Sequence, residues 1–123
     1  VSQRLIKVLS DVDLIYCEDT RRAKKLLNHL DIQTKIESYF VGNEVSKIQD
    51  IKTHLGNNLS IALISDAGTP LISDPGSKLV EEIVKEEFKV VSIPGPSSVL
   101  VALTLSGFDI SNLQFLGLFY NFI

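Results

Sequence analysis

The chain has 123 residues and a net charge of −3, with 45% hydrophobic and 22% charged residues. This composition is typical of one globular domain, and no apolar run approaches the ~18–20 residues of a membrane-spanning helix. Because Cys17 is the single cysteine, an internal disulfide is excluded and we expect a protein of the reducing cytoplasm.

The charge is unevenly distributed along the chain. Residues 1–60 carry nine Lys or Arg and eight Asp or Glu, a net +1, whereas residues 61–123 carry three and seven, a net −4. The overall balance argues against binding of nucleic acid through bulk charge. The segment TRRAKKLLNH nevertheless forms a local basic patch, made of Arg21, Arg22, Lys24 and Lys25.

Hydropathy periodicity and capping residues predict alternating helices and strands. In chain order, they predict a helix over 4–10, a strand over 12–18, a helix from Asp19 or Thr20 to about His29, a strand over 34–40, a helix over 44–55 between Asn43 and Gly56, a strand over 59–65, a helix over 77–88, a strand over 89–95, a helix over 96–106 ended by Gly107, and a strand over 113–119.

This alternation predicts an α/β fold in which helices cover a mostly parallel sheet on both faces, giving three layers in one domain over 1–123. The apolar run over 59–65 is typical of a strand buried on both faces. We expect the strands over 12–18, 59–65 and 89–94 to be neighbours or near neighbours in this sheet.

Ligands bind beyond the carboxyl ends of the strands in such sheets. Three junctions lie there, CEDTRR, SDAGTPLISDPG and IPGPSS, so we expect loops 66–76 and 94–98 at one edge. The loop after residue 65 holds two Asp, two Gly and two Pro. A simple connector needs fewer such residues, so this composition indicates a rigid loop that forms the wall of a binding site. No P-loop or G-x-G-x-x-G motif is present, and one Cys with two distant His does not make a zinc site.

Three segments, CEDTRRAKKLLNHLDI, IALISDAGTPLISDPGSKLV and IPGPSSVLVALTLSG, occur in this order with the predicted elements between them. Together they closely resemble the bacterial small-subunit rRNA 2′-O-ribose cytidine methyltransferases of the tetrapyrrole methylase superfamily. The resemblance covers about residues 2–118. It implies the N-terminal methylase domain of a two-domain homodimeric enzyme, whose first strand would precede Val1 and whose second domain would follow Ile123.

The resemblance also implies S-adenosyl-L-methionine as cofactor and small-subunit rRNA as partner, with no membrane association. Loop 66–76 would lie along the cofactor, and a helix N-terminus at 97–98 would favour its carboxylate. The cofactor-binding residues implied in this way are Asp66, Gly68, Thr69, Pro70, Ile72, Ser97 and Ser98. The basic patch would face the RNA. Glu18 and Asp19 are candidates for a general base, and the catalytic residue is otherwise unassigned.

Several of these residues have a structural alternative. Glu18, Asp19, Ser97 and Ser98 are also suited to cap helices, and the basic patch to be a solvated helix face. Asp66, Asp74 and Pro75 are suited to helix capping and turn formation. The same superfamily offers a second function, methylation of a tetrapyrrole or a protein, and residues 61–107 alone do not distinguish it. A third possibility is a truncated domain without activity. The EDTRR motif favours the RNA substrate.

Overall fold

The computed structural model describes residues 1–117 and divides them into helices and strands that alternate up to the fourth helix. In chain order these are α1 (Gln3–Asp11), β1 (Leu14–Cys17), α2 (Thr20–His29), β2 (Lys35–Ser38), α3 (Glu44–Gly56), β3 (Ile61–Ile64), α4 (Ser77–Lys85) and α5 (Ser98–Leu105).

The strands form one parallel sheet in the order β2-β1-β3. In the register of the sheet, Leu14 of β1 stands opposite Lys35 of β2 and Ile61 of β3. Every residue of β1 is buried because it has a neighbour on both sides, whereas β3 is half-buried. The predicted adjacency of segments 12–18 and 59–65 is therefore confirmed.

Helices cover both faces of the sheet, because successive side chains of β1 point to opposite sides. Tyr16 packs on one face with Ile51 of α3 and Ile83 of α4. Ile15 packs on the other face with Leu9 of α1 and Leu27 of α2. The predicted three-layer α/β architecture is confirmed.

Hydrogen bonds between Asp13 and Ser60 join the amino ends of β1 and β3. The Asp13 carboxylate accepts hydrogen bonds from the Ser60 backbone N–H at 2.7 Å and from its hydroxyl at 2.8 Å. The Asp13 N–H donates in turn to the Ser60 carbonyl at 3.0 Å. This exchange fixes the register of the two strands at the edge opposite the predicted site.

The predicted strand over 89–95 is wrong, as is the part of the predicted strand over 113–119 that falls within the described residues, 113–117. No strand is present in either stretch, and Val90 and Val91 are 49% and 52% exposed. The β-branched residues Val90, Val91 and Ile93 favour a strand only where a neighbouring strand accepts the backbone hydrogen bonds, and no strand within residues 1–117 pairs with this stretch. The remainder, 118–119, lies outside the described residues.

The expectation that 59–65 is buried on both faces is also wrong. Within residues 1–117, β3 is hydrogen-bonded to β1 alone, so it is an edge strand whose side chains stay half-buried. No helix in this part of the chain is long and apolar enough to cross a membrane.

Candidate functional site

The carboxyl ends of β1 and β3 meet at one edge of the sheet, as parallel pairing requires. Glu18 and Asp19 follow β1 there, and the loop over 65–76 follows β3. The Arg22 guanidinium of α2 lies 3.1 Å from the carboxylate of Asp66. This ion pair ties the basic helix to the beginning of the loop, so the structure brings two of the predicted motifs together.

The loop owes its shape to four residues in the left-handed region. Gly68, Leu71, Ser73 and Gly76 have φ of 76°, 74°, 62° and 122°. A Cβ on Gly76 would lie 2.8 Å from the end of the Leu63 side chain, and a φ of 122° would strain any other residue, so the backbone favours glycine here. A Cβ on Gly68 would meet nothing within 4 Å, so the backbone there faces open space that a ligand can approach.

The loop presents groups of mixed polarity beside that open backbone. Thr69 is exposed, and its hydroxyl has no hydrogen-bond partner among residues 1–117. Ile72 is 54% exposed and offers an apolar surface beside this hydroxyl. Pro70 between them is half-buried. A hydroxyl, an apolar side chain and open backbone together suit an amphipathic ligand.

The two candidates for a general base differ sharply. Asp19 caps α2, and its carboxylate accepts hydrogen bonds from the Arg21 backbone N–H at 2.8 Å and from the Arg21 side chain at 3.0 and 3.2 Å. These bonds, those of the side chain above all, lower the pKa of Asp19 to about 2. Glu18 is exposed and forms no hydrogen bond within residues 1–117. The capping alternative therefore holds for Asp19 and leaves Glu18 available.

A groove of about 400 Å³ opens beside the second half of the loop, lined by residues 73–77 together with Val41 and Glu44. Glu44 accepts a hydrogen bond from the Tyr39 hydroxyl at 3.1 Å, and burial with this carboxylate nearby raises the pKa of Tyr39. Sequence reasoning missed Val41 and Glu44, because the end of β2 carries no Gly- or Pro-rich signal. Asp74 lines the groove and makes no capping bond to α4, whose N-cap is Gly76.

The four residues of the basic patch have different surroundings. Arg21 pairs with Asp19 and Arg22 with Asp66, whereas Lys24 and Lys25 are exposed and form no ion pair within residues 1–117. Within residues 1–117, the patch is thus ion-paired at the sheet edge and without ion pairs further along α2.

The structure does not bring residues 94–98 to loop 66–76 by any hydrogen bond within the described chain. Ser97 caps α5, where its Oγ accepts from the Leu100 N–H at 3.4 Å, and Ser98 is the exposed first residue of that helix. Their role toward a cofactor stays a prediction. Cys17 is the last residue of β1, at the candidate edge of the sheet. It is buried, and this burial raises the pKa of its thiol to about 11. No group of His, Cys, Asp and Glu within residues 1–117 is placed to hold a metal ion.

Comparison with known proteins identifies the family of the chain. The sequence profile of Tetrapyrrole (Corrin/Porphyrin) Methylases matches residues 1–117. The chain is 47% identical to a Vibrio cholerae protein named ribosomal RNA small subunit methyltransferase I, over 95% of the chain and 41% of that protein. Proteins of the same name from Halalkalibacterium halodurans and Thermotoga maritima are 44% and 42% identical, over 95% of the chain and 40% and 53% of their own lengths. The chain thus spans about half the length, or less, of these relatives.

Proposed function

Because the chain belongs to the tetrapyrrole methylase family, we propose that it forms the cofactor-binding part of a methyltransferase acting on small-subunit rRNA. The acceptor in this proposal is the 2′-hydroxyl of a cytidine ribose, and the donor is S-adenosylmethionine. The contact between Arg22 and Asp66 carries the proposal, because it places a basic helix directly against the loop suited to the cofactor. We further propose that the protein works in the cytoplasm as a homodimer.

The residues present fit one wall of a cofactor site. Gly68 leaves open backbone, Thr69 offers a free hydroxyl for a hydrogen bond, and Ile72 offers exposed apolar surface. S-adenosylmethionine supplies a methyl group already activated by its sulfonium charge. The remaining task for the protein is to hold the ribose oxygen in line with that methyl group and to remove the hydroxyl proton.

Glu18 is the side chain that we propose for proton removal. Its carboxylate is exposed at the sheet edge, whereas the Arg21 hydrogen bonds make Asp19 a very weak base at neutral pH. A general base contributes about 10²–10⁴-fold. We therefore expect Glu18→Gln to lower kcat by that factor. We expect Asp19→Asn, which keeps a capping oxygen, to lower kcat far less. Equal losses in both variants would contradict the assignment.

The test uses the protein at the length its cell makes, labelled S-adenosylmethionine and isolated small ribosomal subunits. We expect transfer of label to rRNA and 2′-O-methylcytidine among its digested nucleosides. Incorporation into a tetrapyrrole or a ribosomal protein instead would favour the other members of the family. No transfer to any acceptor would favour a domain without activity.

A second measurement concerns the 123-residue chain by itself. Loop 66–76 offers one wall, so a bound cofactor would stay largely in water and gain little from apolar burial, which contributes ~25 cal/mol per Å². The cost of immobilising the ligand remains several kcal/mol. We therefore expect calorimetric titration to show very weak binding of S-adenosylmethionine, or none, by this chain. Tight binding would place the complete site within its 123 residues.

A further inference from the structure

We propose that the groove between α2 and β2 binds single-stranded RNA next to the nucleotide that is methylated. The proposal rests on the proposed function and extends it, because it assigns a path for the substrate along a part of the molecule with no role in holding the cofactor. The expected ligand is a chain of phosphates that carries unpaired bases.

The groove has a volume of about 550 Å³ and a consistent chemical character. Arg21, Lys24 and Lys35 supply cations along it, and Asn28 and Gln33 supply amides. Its apolar lining includes the buried side chains of Leu27 and Ile32. Among residues 1–117, no carboxylate lines it. Cations bind phosphates, and the amides together with the half-buried side chain of Ile36 suit the edges of unpaired bases.

The cations are free or easily freed. Lys24 forms no ion pair within residues 1–117. Arg21 and Lys35 pair with Asp19 and Glu37 at 3.0 and 3.1 Å, but their side chains are 90% and 73% exposed. Exposed pairs contribute little to stability, so a phosphate can replace Glu37 as the partner of Lys35 at small cost. A phosphate can also bind Arg21 through Nη1, which makes no bond to Asp19.

The direction of the groove connects it to the candidate site. Arg21 lies in the first turn of α2, at the edge where loop 66–76 begins, and Asn28 lies in the last turn. A helix of ten residues extends about 15 Å, so RNA lying along α2 would reach that edge. The Arg22 guanidinium, 3.1 Å from the Asp66 carboxylate, marks where this path meets the loop.

The test measures RNA binding by the protein at the length its cell makes, using a fluorescent single-stranded RNA taken from small-subunit rRNA. The variant carries Lys24→Gln and Lys35→Gln. Its matched control carries Lys7→Gln and Lys89→Gln, which remove the same charge from exposed positions outside the groove. Circular dichroism of both variants verifies the fold. Methyl transfer by the unsubstituted protein is measured in parallel.

Each lost phosphate contact should flatten the dependence of log K on log salt by about 0.7 for single-stranded RNA, so about 1.4 for two. We expect this change and about tenfold weaker binding at physiological salt for the groove variant, with the control unchanged. If the protein methylates rRNA but both variants bind alike, the groove assignment alone fails. If the unsubstituted protein neither binds nor methylates RNA, the proposed function fails with it. Preference for a glutamate-rich peptide over RNA would also overturn the proposal and make the edge of β2 a peptide site.

Discussion

Residues 89–117 are more hydrophobic than residues 1–88, with Lys89 and Asp109 as their charged residues, yet they are less buried. All fully buried hydrophobic side chains of the described chain lie between Leu9 and Ile83, and no residue of 89–117 is buried. Helix α5 is apolar on every side, yet Leu100 and Leu105 are 62% and 81% exposed. An apolar composition favours burial, but a helix is buried only where another element offers a surface to pack against.

The surface in the first region is the sheet. Helices α1 to α4 each place an apolar stripe on one face of β1 and its neighbours, so each contributes to a continuous core. The second region has no strand of its own within the described chain to extend that sheet. Contiguous exposed apolar surface of this kind is typical of a surface that makes further contacts.

We expect the largest effect when the same substitution, leucine to alanine, is made once in each region and the free energy of unfolding is compared. Leu9 in α1 is 1% exposed, and Leu105 in α5 is 81% exposed. In the 123-residue chain, we expect Leu9→Ala to lower the free energy of unfolding by about 2–5 kcal/mol, because it leaves a cavity in the core. We expect Leu105→Ala to change it by less than about 0.5 kcal/mol. Urea denaturation measures both, and equal losses would show that 89–117 is packed in solution.

An intermediate effect compares two glycines that differ only in location. Gly68 and Gly107 have φ of 76° and 71°, and an added Cβ meets nothing within 4 Å at either. Alanine should therefore introduce the same backbone strain, roughly 1–2 kcal/mol, in both variants. In the full-length protein, we expect Gly68→Ala to weaken S-adenosylmethionine binding tenfold or more. The added methyl group would fill the space through which a ligand approaches the Gly68 backbone. We expect Gly107→Ala to leave binding unchanged.

Calorimetric titration of both variants decides between a local and a general cause. A bulkier Gly68→Val should abolish binding. Equal loss in the Gly107 variant would attribute the effect to strain, and undiminished binding by Gly68→Val would place the cofactor elsewhere.

The sequence alone predicted the α/β class, α1 to α5, the first three strands and the shared edge of β1 and β3. These depend on local periodicity and on capping residues such as Asp19, which the chain carries within a few positions. The edge position of β3 and the unpaired state of 89–94 depend on which strands are neighbours, and local sequence does not encode that. The two grooves were not predicted, because each is lined by residues from different elements. Glu44 of α3 lines one groove with residues 73–77, and Gln33 of the loop before β2 lines the other with Lys24 of α2.

The smallest expected effect compares two carboxylates held by serine. The Ser60 backbone N–H, and then its hydroxyl, lower the pKa of Asp13 below its usual value of 3.8, and these bonds span 47 positions. The Ser111 hydroxyl, and then its backbone N–H, lower the pKa of Asp109 from two positions away. The Asp13 bonds are lost on unfolding because they join two strands, whereas the Asp109 bonds need only one turn of chain.

A pKa that is lower in the folded state gives a stabilising contribution that is present above the usual value and lost as pH falls through the lower one. We therefore expect Asp13→Asn to lower the melting temperature of the chain at pH 7, and the difference from the unsubstituted chain to shrink as pH falls below about 4. We expect Asp109→Asn to follow the unsubstituted chain throughout. Thermal unfolding from pH 7 to pH 2 measures both. A pH-dependent difference of the same size in the Asp109 variant would show that residues 109–111 are ordered by the fold as tightly as β1 and β3, against the contrast between the two regions.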